Sequence, residues 1–165
     1  MKRYIILPLL LTCILDLQVF AQKDAIVSGT YEFRNGAIYT GELFRGKPNG
    51  RGRTVFTNGD IYEGDYIKSK RDGEGKYIYK NGEYYEGHWT EDTRNGKGTF
   101  YSKNNNIYEG LWFKNKKDGP GTMKYYNGDV YDGNWLNDLR HGEGTYKYKG
   151  GAYYKGQWVN DRKEG

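Results

Sequence analysis

Six tyrosines set the rule for this chain: Tyr39, Tyr62, Tyr85, Tyr108, Tyr131 and Tyr154 are each 23 residues apart. A fixed period in this range marks a chain built by stacking copies of one supersecondary unit. With each tyrosine taken as column zero, glycine fills column two (Gly41, Gly64, Gly87, Gly110, Gly133, Gly156) and column thirteen (Gly29, Gly52, Gly75, Gly98, Gly121, Gly144). It also fills column eleven and all but one place in column twenty, so these four columns hold 23 of the 25 glycines. Glycine is architectural here, and a Gly-x-Gly triplet is not in itself a site.

Column four holds Leu43, Tyr66, Trp89, Trp112, Trp135 and Trp158, which includes every tryptophan. Columns zero, two and four alternate, as do thirteen, fifteen and seventeen, and period two is the signature of strands with one face set apart. Each unit is therefore two strands, joined within the unit by a loop around columns six to ten. Asn-Gly pairs such as Asn58-Gly59 and Asn127-Gly128 join successive units and predict type I′ turns, in which both central residues take positive φ. Asn104-Asn105 replaces the pair in the third unit, which is tolerable because asparagine also visits that region.

The pattern predicts an all-β, elongated, single-layer antiparallel hairpin meander of about 12 short strands, roughly 50–60 Å long at about 4.8 Å per strand. Such a sheet has no second layer, so burial must come from its own aromatic face. Glycines at columns two and thirteen leave room for tyrosine and tryptophan rings to lie flat on the backbone.

The pattern Y-x-G-x-W, then G-x-G-x-[YFM]-x-[YF], then N-G, reads here as YEGHW at 85–89, GKGTF at 96–100, YEGLW at 108–112 and GPGTMKY at 119–125. It closely resembles the MORN (membrane occupation and recognition nexus) repeat. The resemblance runs over residues 29–165, as a half repeat 29–38, five repeats 39–153 and a terminal half repeat 154–165. It implies a twisted single-layer sheet that works as a recognition or assembly module. Arrays of this family accompany lipid kinases, histone methyltransferases and junctional membrane proteins, and are linked to both phospholipids and protein partners. The catalytic activities in those proteins belong to other domains.

Residues 1–21 read as a secretory signal: Lys2 and Arg3, an apolar run to about Phe20, and Val19 and Ala21 before the expected cleavage point. Pro8 and Asp16 interrupt the run and speak against a retained span of about 20 residues. Residues 22–28 then form a linker. The expected product is exported: secreted, periplasmic or at the cell surface. It contains no cysteine after Cys13, so no disulfide framework supports it.

Enzyme chemistry finds no acid, base or nucleophile to name. His88 and His141 stand where most other units carry ordinary polar residues, and their separation by two repeats argues against a shared metal. Neither catalytic nor metal-binding residues are expected, and no cofactor. The Gly-x-Gly triplets precede strands, whereas a phosphate cradle needs a helix start behind it.

Two surfaces remain as candidates for binding. One is the aromatic face, Tyr62, Tyr85, Trp89, Tyr108, Trp112, Tyr131, Trp135, Tyr154 and Trp158, whose rings are expected to be partly reachable by a peptide of a protein partner. Gly64, Gly75, Gly87, Gly98, Gly110, Gly121, Gly133 and Gly144 are its structural glycines. The other is column nine, Arg71, Arg94, Lys117, Arg140 and Lys163, expected as a ladder of cations in the loops along one edge. Such a ladder suits an anionic membrane or an acidic polymer, and equally a solubilising edge. The net charge of +5 is too mild for a nucleic-acid surface. The two end strands could also pair head to tail into a homo-oligomer.

Overall fold

The computed structural model describes residues 25–164; the signal read at 1–21 lies outside them. Thirteen antiparallel strands follow one another in a single sheet, each hydrogen-bonded to its neighbours in sequence. They are β1 (Ile26–Glu32), β2 (Ile38–Phe44), β3 (Lys47–Val55), β4 (Ile61–Ile67), β5 (Lys70–Ile78), β6 (Tyr84–Thr90) and β7 (Thr93–Tyr101). The series continues with β8 (Ile107–Phe113), β9 (Lys116–Lys124), β10 (Val130–Leu136), β11 (Leu139–Lys147), β12 (Tyr153–Val159) and β13 (Arg162–Glu164).

The first of the 12 strands expected is longer than expected, and a thirteenth follows the last. Strand β1 begins at Ile26, inside the segment read as a linker, because Ile26, Val27 and Ser28 pair with Phe44, Leu43 and Glu42. Main-chain pairing needs none of the repeat's side chains. At the other end the turn at Asn160 and Asp161 returns the chain, and Lys163 of β13 lies opposite Trp158.

The two turn types differ from the sequence reading. The hairpin within each unit is a two-residue turn at columns six and seven, and both residues take left-handed φ: 49° and 67° at Lys68-Ser69, 46° and 68° at Glu91-Asp92, 50° and 73° at Asn137-Asp138. This is the type I′ signature, assembled without glycine, from lysine, serine and glutamate, which disfavour left-handed φ, and from asparagine and aspartate, which visit it. The next unit is clasped to the one before at this point. Amides Asp92, Asn115, Asp138 and Asp161 donate to the carbonyls of Arg71, Arg94, Lys117 and Arg140 at 2.9–3.0 Å.

Asn-Gly instead forms a three-residue loop in which only the column-twenty residue is left-handed, as at Gly59 (92°) and Gly128 (91°). Gly128 N donates to Tyr125 O at 2.9 Å and Tyr125 N to Asp129 O at 2.9 Å, the type I turn with a glycine bulge. Asn127 Oδ1 accepts from Asp129 N at 3.0 Å, an Asx turn that accounts for asparagine in that column. Asn105, at φ 62°, takes the glycine's place in the third unit.

Between Gly133 and Trp135 the β10–β11 register shifts, and the same shift recurs in β4–β5, β6–β7 and β8–β9. The extra residues on the longer strand are accommodated at column eleven, where Gly142 has φ 69°.

Candidate functional site

The core is a zigzag of rings running the length of the sheet. Each column-zero tyrosine lies along its own strand and donates its hydroxyl to the column-three carbonyl: Tyr85 to His88 at 3.0 Å, Tyr108 to Leu111 at 2.9 Å, Tyr131 to Asn134 at 2.9 Å. Its ring covers the glycines expected to receive it. A Cβ on Gly144 would meet the Tyr131 hydroxyl at 2.4 Å, and one on Gly133 would meet Gly144 Cα at 2.5 Å.

Each tryptophan sits edge-to-face between two tyrosines. Trp112 lies 5.3 Å from Tyr85 and 5.2 Å from Tyr108, and Trp135 lies 5.3 Å from Tyr108 and 5.2 Å from Tyr131. The ring quadrupoles favour this arrangement. The indole N–H groups of Trp89, Trp112, Trp135 and Trp158 donate to the carbonyls of Gly75, Gly98, Gly121 and Gly144 at 3.0–3.3 Å.

The packing is close enough to remove these rings from solvent. Tyr62, Tyr85, Tyr108 and Tyr131 are at most 1% exposed and Trp89, Trp112, Trp135 and Trp158 at most 5%. The expectation that this row is reachable is therefore corrected. Of the proposed aromatic face only Tyr154 is not fully buried. Among the rings packed against this core, those left partly accessible besides Tyr154 belong to columns fifteen and seventeen, among them Phe56, Tyr77, Phe100 and Tyr125.

The basic ladder is also relocated. Because the turn is two residues long, column nine is the second residue of β5, β7, β9 and β11 rather than a loop position, and its side chain crosses the aromatic face. The guanidiniums of Arg71, Arg94 and Arg140 lie 4.5, 4.2 and 4.3 Å from the ring centres of Trp89, Trp112 and Trp158. Lys117 Nζ is 4.4 Å from Trp135, and Lys163 Nζ is 4.9 Å from Tyr154. Cations over indoles at this range contribute about 0.5–2 kcal/mol each, more as water is excluded.

Two of the arginines are also ion-paired to the next turn: Arg71 Nε to Asp92 at 3.0 Å and Arg140 Nε to Asp161 at 2.8 Å, both side chains only 19% exposed. The two surfaces read separately from the sequence are thus one face, with cations laid over buried rings. This lid of cations completes the burial that a single layer otherwise lacks. Burial raises the tyrosine hydroxyls, Tyr66 and Tyr131 to about 12, and lowers the Lys117 ammonium.

One cavity on this face, of about 330 Å³, lies where the third and fourth complete units meet, with Arg94, Phe100, Ser102, Trp112, Lys117 and Met123 among its walls.

The histidines stay apart. His88 Nδ1 lies 3.0 Å from Glu74 on an exposed surface. His141 replaces a column-ten residue that elsewhere accepts from the following turn, as Asp72 does from Glu91 N at 3.2 Å and Asp118 from Asn137 N at 3.3 Å. Its Nδ1 is buried without a partner. Column ten is a turn cap that the sequence reading missed, although its run of Asn and Asp was a visible signal. Among the described residues no group of three or more His, Cys, Asp or Glu is placed to hold a metal.

Among solved structures, the chain is similar to the TCP domain of SAS-4 (dCPAP) of Drosophila melanogaster, solved in complex with a proline-rich motif of Ana2 (dSTIL). The two share 16% identity with a TM-score of 0.50, covering 95% of this chain and 86% of that one. A catalytically inactive virginiamycin B lyase from Staphylococcus aureus with quinupristin matches at 16% identity but a TM-score of only 0.20, over 84% of this chain and 43% of the other. No curated protein matches the chain. The MORN repeat model matches six consecutive segments, 39–61, 62–84, 85–107, 108–130, 131–153 and 154–165. With these matches joined end to end over the tyrosine–tryptophan zigzag, the chain belongs to the MORN repeat family.

Proposed function

We propose that the chain is an exported, non-catalytic repeat scaffold whose cation-capped aromatic face takes an extended segment of a protein partner. The observation that carries this reading is the series of partly accessible rings at columns fifteen and seventeen beside column-nine cations, as at Tyr77 beside Arg71 and Tyr146 beside Arg140. An extended segment meets similar aromatic and cationic chemistry at successive steps of such a row. The family is typically non-enzymatic, and the similar TCP domain holds a proline-rich motif. Proline-rich segments favour aromatic-lined grooves because they are already extended before binding.

The reading of an anionic membrane or acidic polymer loses support from the ion pairs of Arg71 and Arg140, which already neutralise two rungs of the ladder. Head-to-tail assembly would use the exposed Ile26 and Val27 on β1 against the short, charged β13.

The test is to titrate the full chain with a proline-rich peptide, following tryptophan fluorescence, and in parallel with phosphatidylserine vesicles across a salt series. A saturable peptide response, weakened severalfold by Tyr125→Ala with Tyr148→Ala, is expected. Salt-sensitive vesicle binding with no peptide response would replace the protein-partner reading. Export predicts a secreted chain beginning at Gln22; a cell-retained chain beginning at Met1 would refute it. Sedimentation reports the mass, and a mass that grows with concentration would point to assembly through the ends.

A further inference from the structure

The repeat supplies its own control for reading one unit against the next, and three of the departures from it meet at one place. Column seventeen is aromatic at Phe33, Phe56, Tyr79, Tyr125 and Tyr148 but is Ser102 in the third unit. Column twenty-one is alanine at the ends of the array, Ala37 and Ala152, acidic at Asp60, Glu83 and Asp129, and Asn106 in the third unit. Where Asp92, Asp138 and Asp161 follow the other column-nine cations, Asn115 follows Arg94. All three substituted positions line the cavity of about 330 Å³.

Each departure has a physical consequence. In the second and fifth units the column-seventeen ring packs on column fifteen, Tyr79 at 4.7 Å from Tyr77 and Tyr148 at 4.8 Å from Tyr146. Ser102 leaves that space empty, and its hydroxyl turns back to bond Asn106 O at 3.0 Å. Asp60 and Asp129 accept the hydroxyls of Tyr77 and Tyr146 at 2.7 and 2.8 Å. In the middle of the array Asn106 keeps only the backbone part of that role, accepting from Tyr126 N at 2.8 Å.

Arg94 still donates to the following turn's carbonyl, Asn115 O, at 2.7 Å. Its Nε lacks the carboxylate that Arg71 and Arg140 have at 3.0 and 2.8 Å. Lys117 adds a second, half-buried cation, desolvated enough that its proton is held less tightly. Asp138 is the single carboxylate on the wall, and its Oδ1 is engaged by Lys117 N at 2.9 Å.

We infer that this cavity is a recognition site for an aromatic ring flanked by a carboxylate, presented by an extended segment of a partner protein: the ring fills the place left by Ser102 and the carboxylate meets Arg94 and Lys117. The inference rests on the protein-partner reading above and gives that partner a chemistry. An apolar void of about 150 Å³ is enough to hold benzene, so the volume suits a ring with its substituent. Phe100, Met123 and the edge of Trp112 form the apolar wall, and Met is well suited to pack a ring edge. A carboxylate at Arg94 supplies the ion pair that Arg71 makes with Asp92 and Arg140 with Asp161, and charge-assisted pairs with guanidinium are the strong ones.

The probe is 4-hydroxyphenylacetate, compared with 4-methylphenol and acetate. Binding is followed by the NMR shifts of the Trp112 indole N–H and the Met123 methyl in the full chain. Saturable millimolar binding is expected, in keeping with the small number of atoms in the probe, with the indoles of Trp89 and Trp158 unmoved. Ser102→Tyr should weaken it at least about tenfold and Asn115→Asp about fivefold, while 4-methylphenol should respond to the first change and not the second. Both substitutions install the residue type that flanking units carry, so the fold is retained, and an unchanged circular dichroism melt verifies it.

No saturable shift, equal shifts at all four indoles, or undiminished binding by Ser102→Tyr would overturn the inference. The proline-rich peptide separates this failure from failure of the wider reading. If it still binds while the small probe does not, the face is a binding face without this pocket. If neither binds, both fall.

Discussion

The two faces of this sheet are made by the same thirteen strands and solve different problems. On one face Tyr131 is fully buried and Trp135 is 5% exposed, beneath the cations of column nine. On the other, columns one and fourteen form cross-strand ion pairs in the open. Arg53 lies 3.0 Å from Glu63 with the side chains 48% and 52% exposed, and Lys76 lies 3.6 Å from Glu86 at 37% and 62%. Exposed pairs of that kind contribute about 0–1 kcal/mol. A lone sheet is therefore held from one side, and its second layer consists of its own rings and arginine stems rather than another element.

The widest test of this asymmetry is alkali. Burial raises Tyr66, with a lesser opposing effect from the Thr54 hydrogen bond, and burial likewise raises Tyr131 against the nearby Arg140, both to about 12. An unfolded tyrosine titrates near about 10. Below that pH neither state ionises and the full stability is present. Above it the unfolded chain loses protons that the folded chain keeps, so stability falls as pH rises towards the folded values. Loss of the sheet signal between pH about 10 and 12, together with tyrosinate absorbance appearing in the same cooperative step, is expected. Independent titration of the tyrosines with the sheet intact would remove the buried ladder from the account.

Gly133→Val should come next, at about 3 kcal/mol in urea unfolding, because its Cβ would fall 2.5 Å from Gly144 Cα and 2.6 Å from the Tyr131 hydroxyl. Near-neutral behaviour would mean that the rings do not need the glycine floor. Arg140→Ala removes the guanidinium over Trp158 and the pair with Asp161, and should cost about 1–2 kcal/mol. Arg140→Lys should recover about half, since an ammonium keeps the charge but not the fork. Glu63→Ala, on the opposite face, should stay within about 0.5 kcal/mol by the same measurement. If it matched Arg140→Ala, the two faces would contribute alike to the stability of the sheet.

The columns that repeat were legible in the sequence because each has one steric or packing reason that applies to every unit. Tyr108 needs Gly121 beneath its ring, Trp135 needs Tyr108 and Tyr131 at its edges, and a period of two with a period of 23 states both conditions. The aromatic row and its glycines therefore fell where expected. Their accessibility did not, because burial depends on what lies above a ring. Arg71 shows why: read as a loop residue, it belongs to a charged edge, while a turn shortened to Lys68 and Ser69 makes it a strand residue aimed across Trp89. Its carboxylate partner, Asp92, is 21 residues away, a separation with no local signal.

The cavity at the middle of the array was less legible still. Ser102, Asn106 and Asn115 each look like ordinary tolerance in one column, and nothing in the linear spacing links them. By itself the sequence determined the repeat, the alternation that makes strands, the rings and the glycines beneath them, since these follow from local sterics and from a pattern repeated often enough to exclude chance. Tertiary structure alone decided which turn is tight, which cations leave the solvent and which substitutions meet at one place. Those outcomes depend on register between strands, and a change of one residue there moves a side chain to the other face of the sheet.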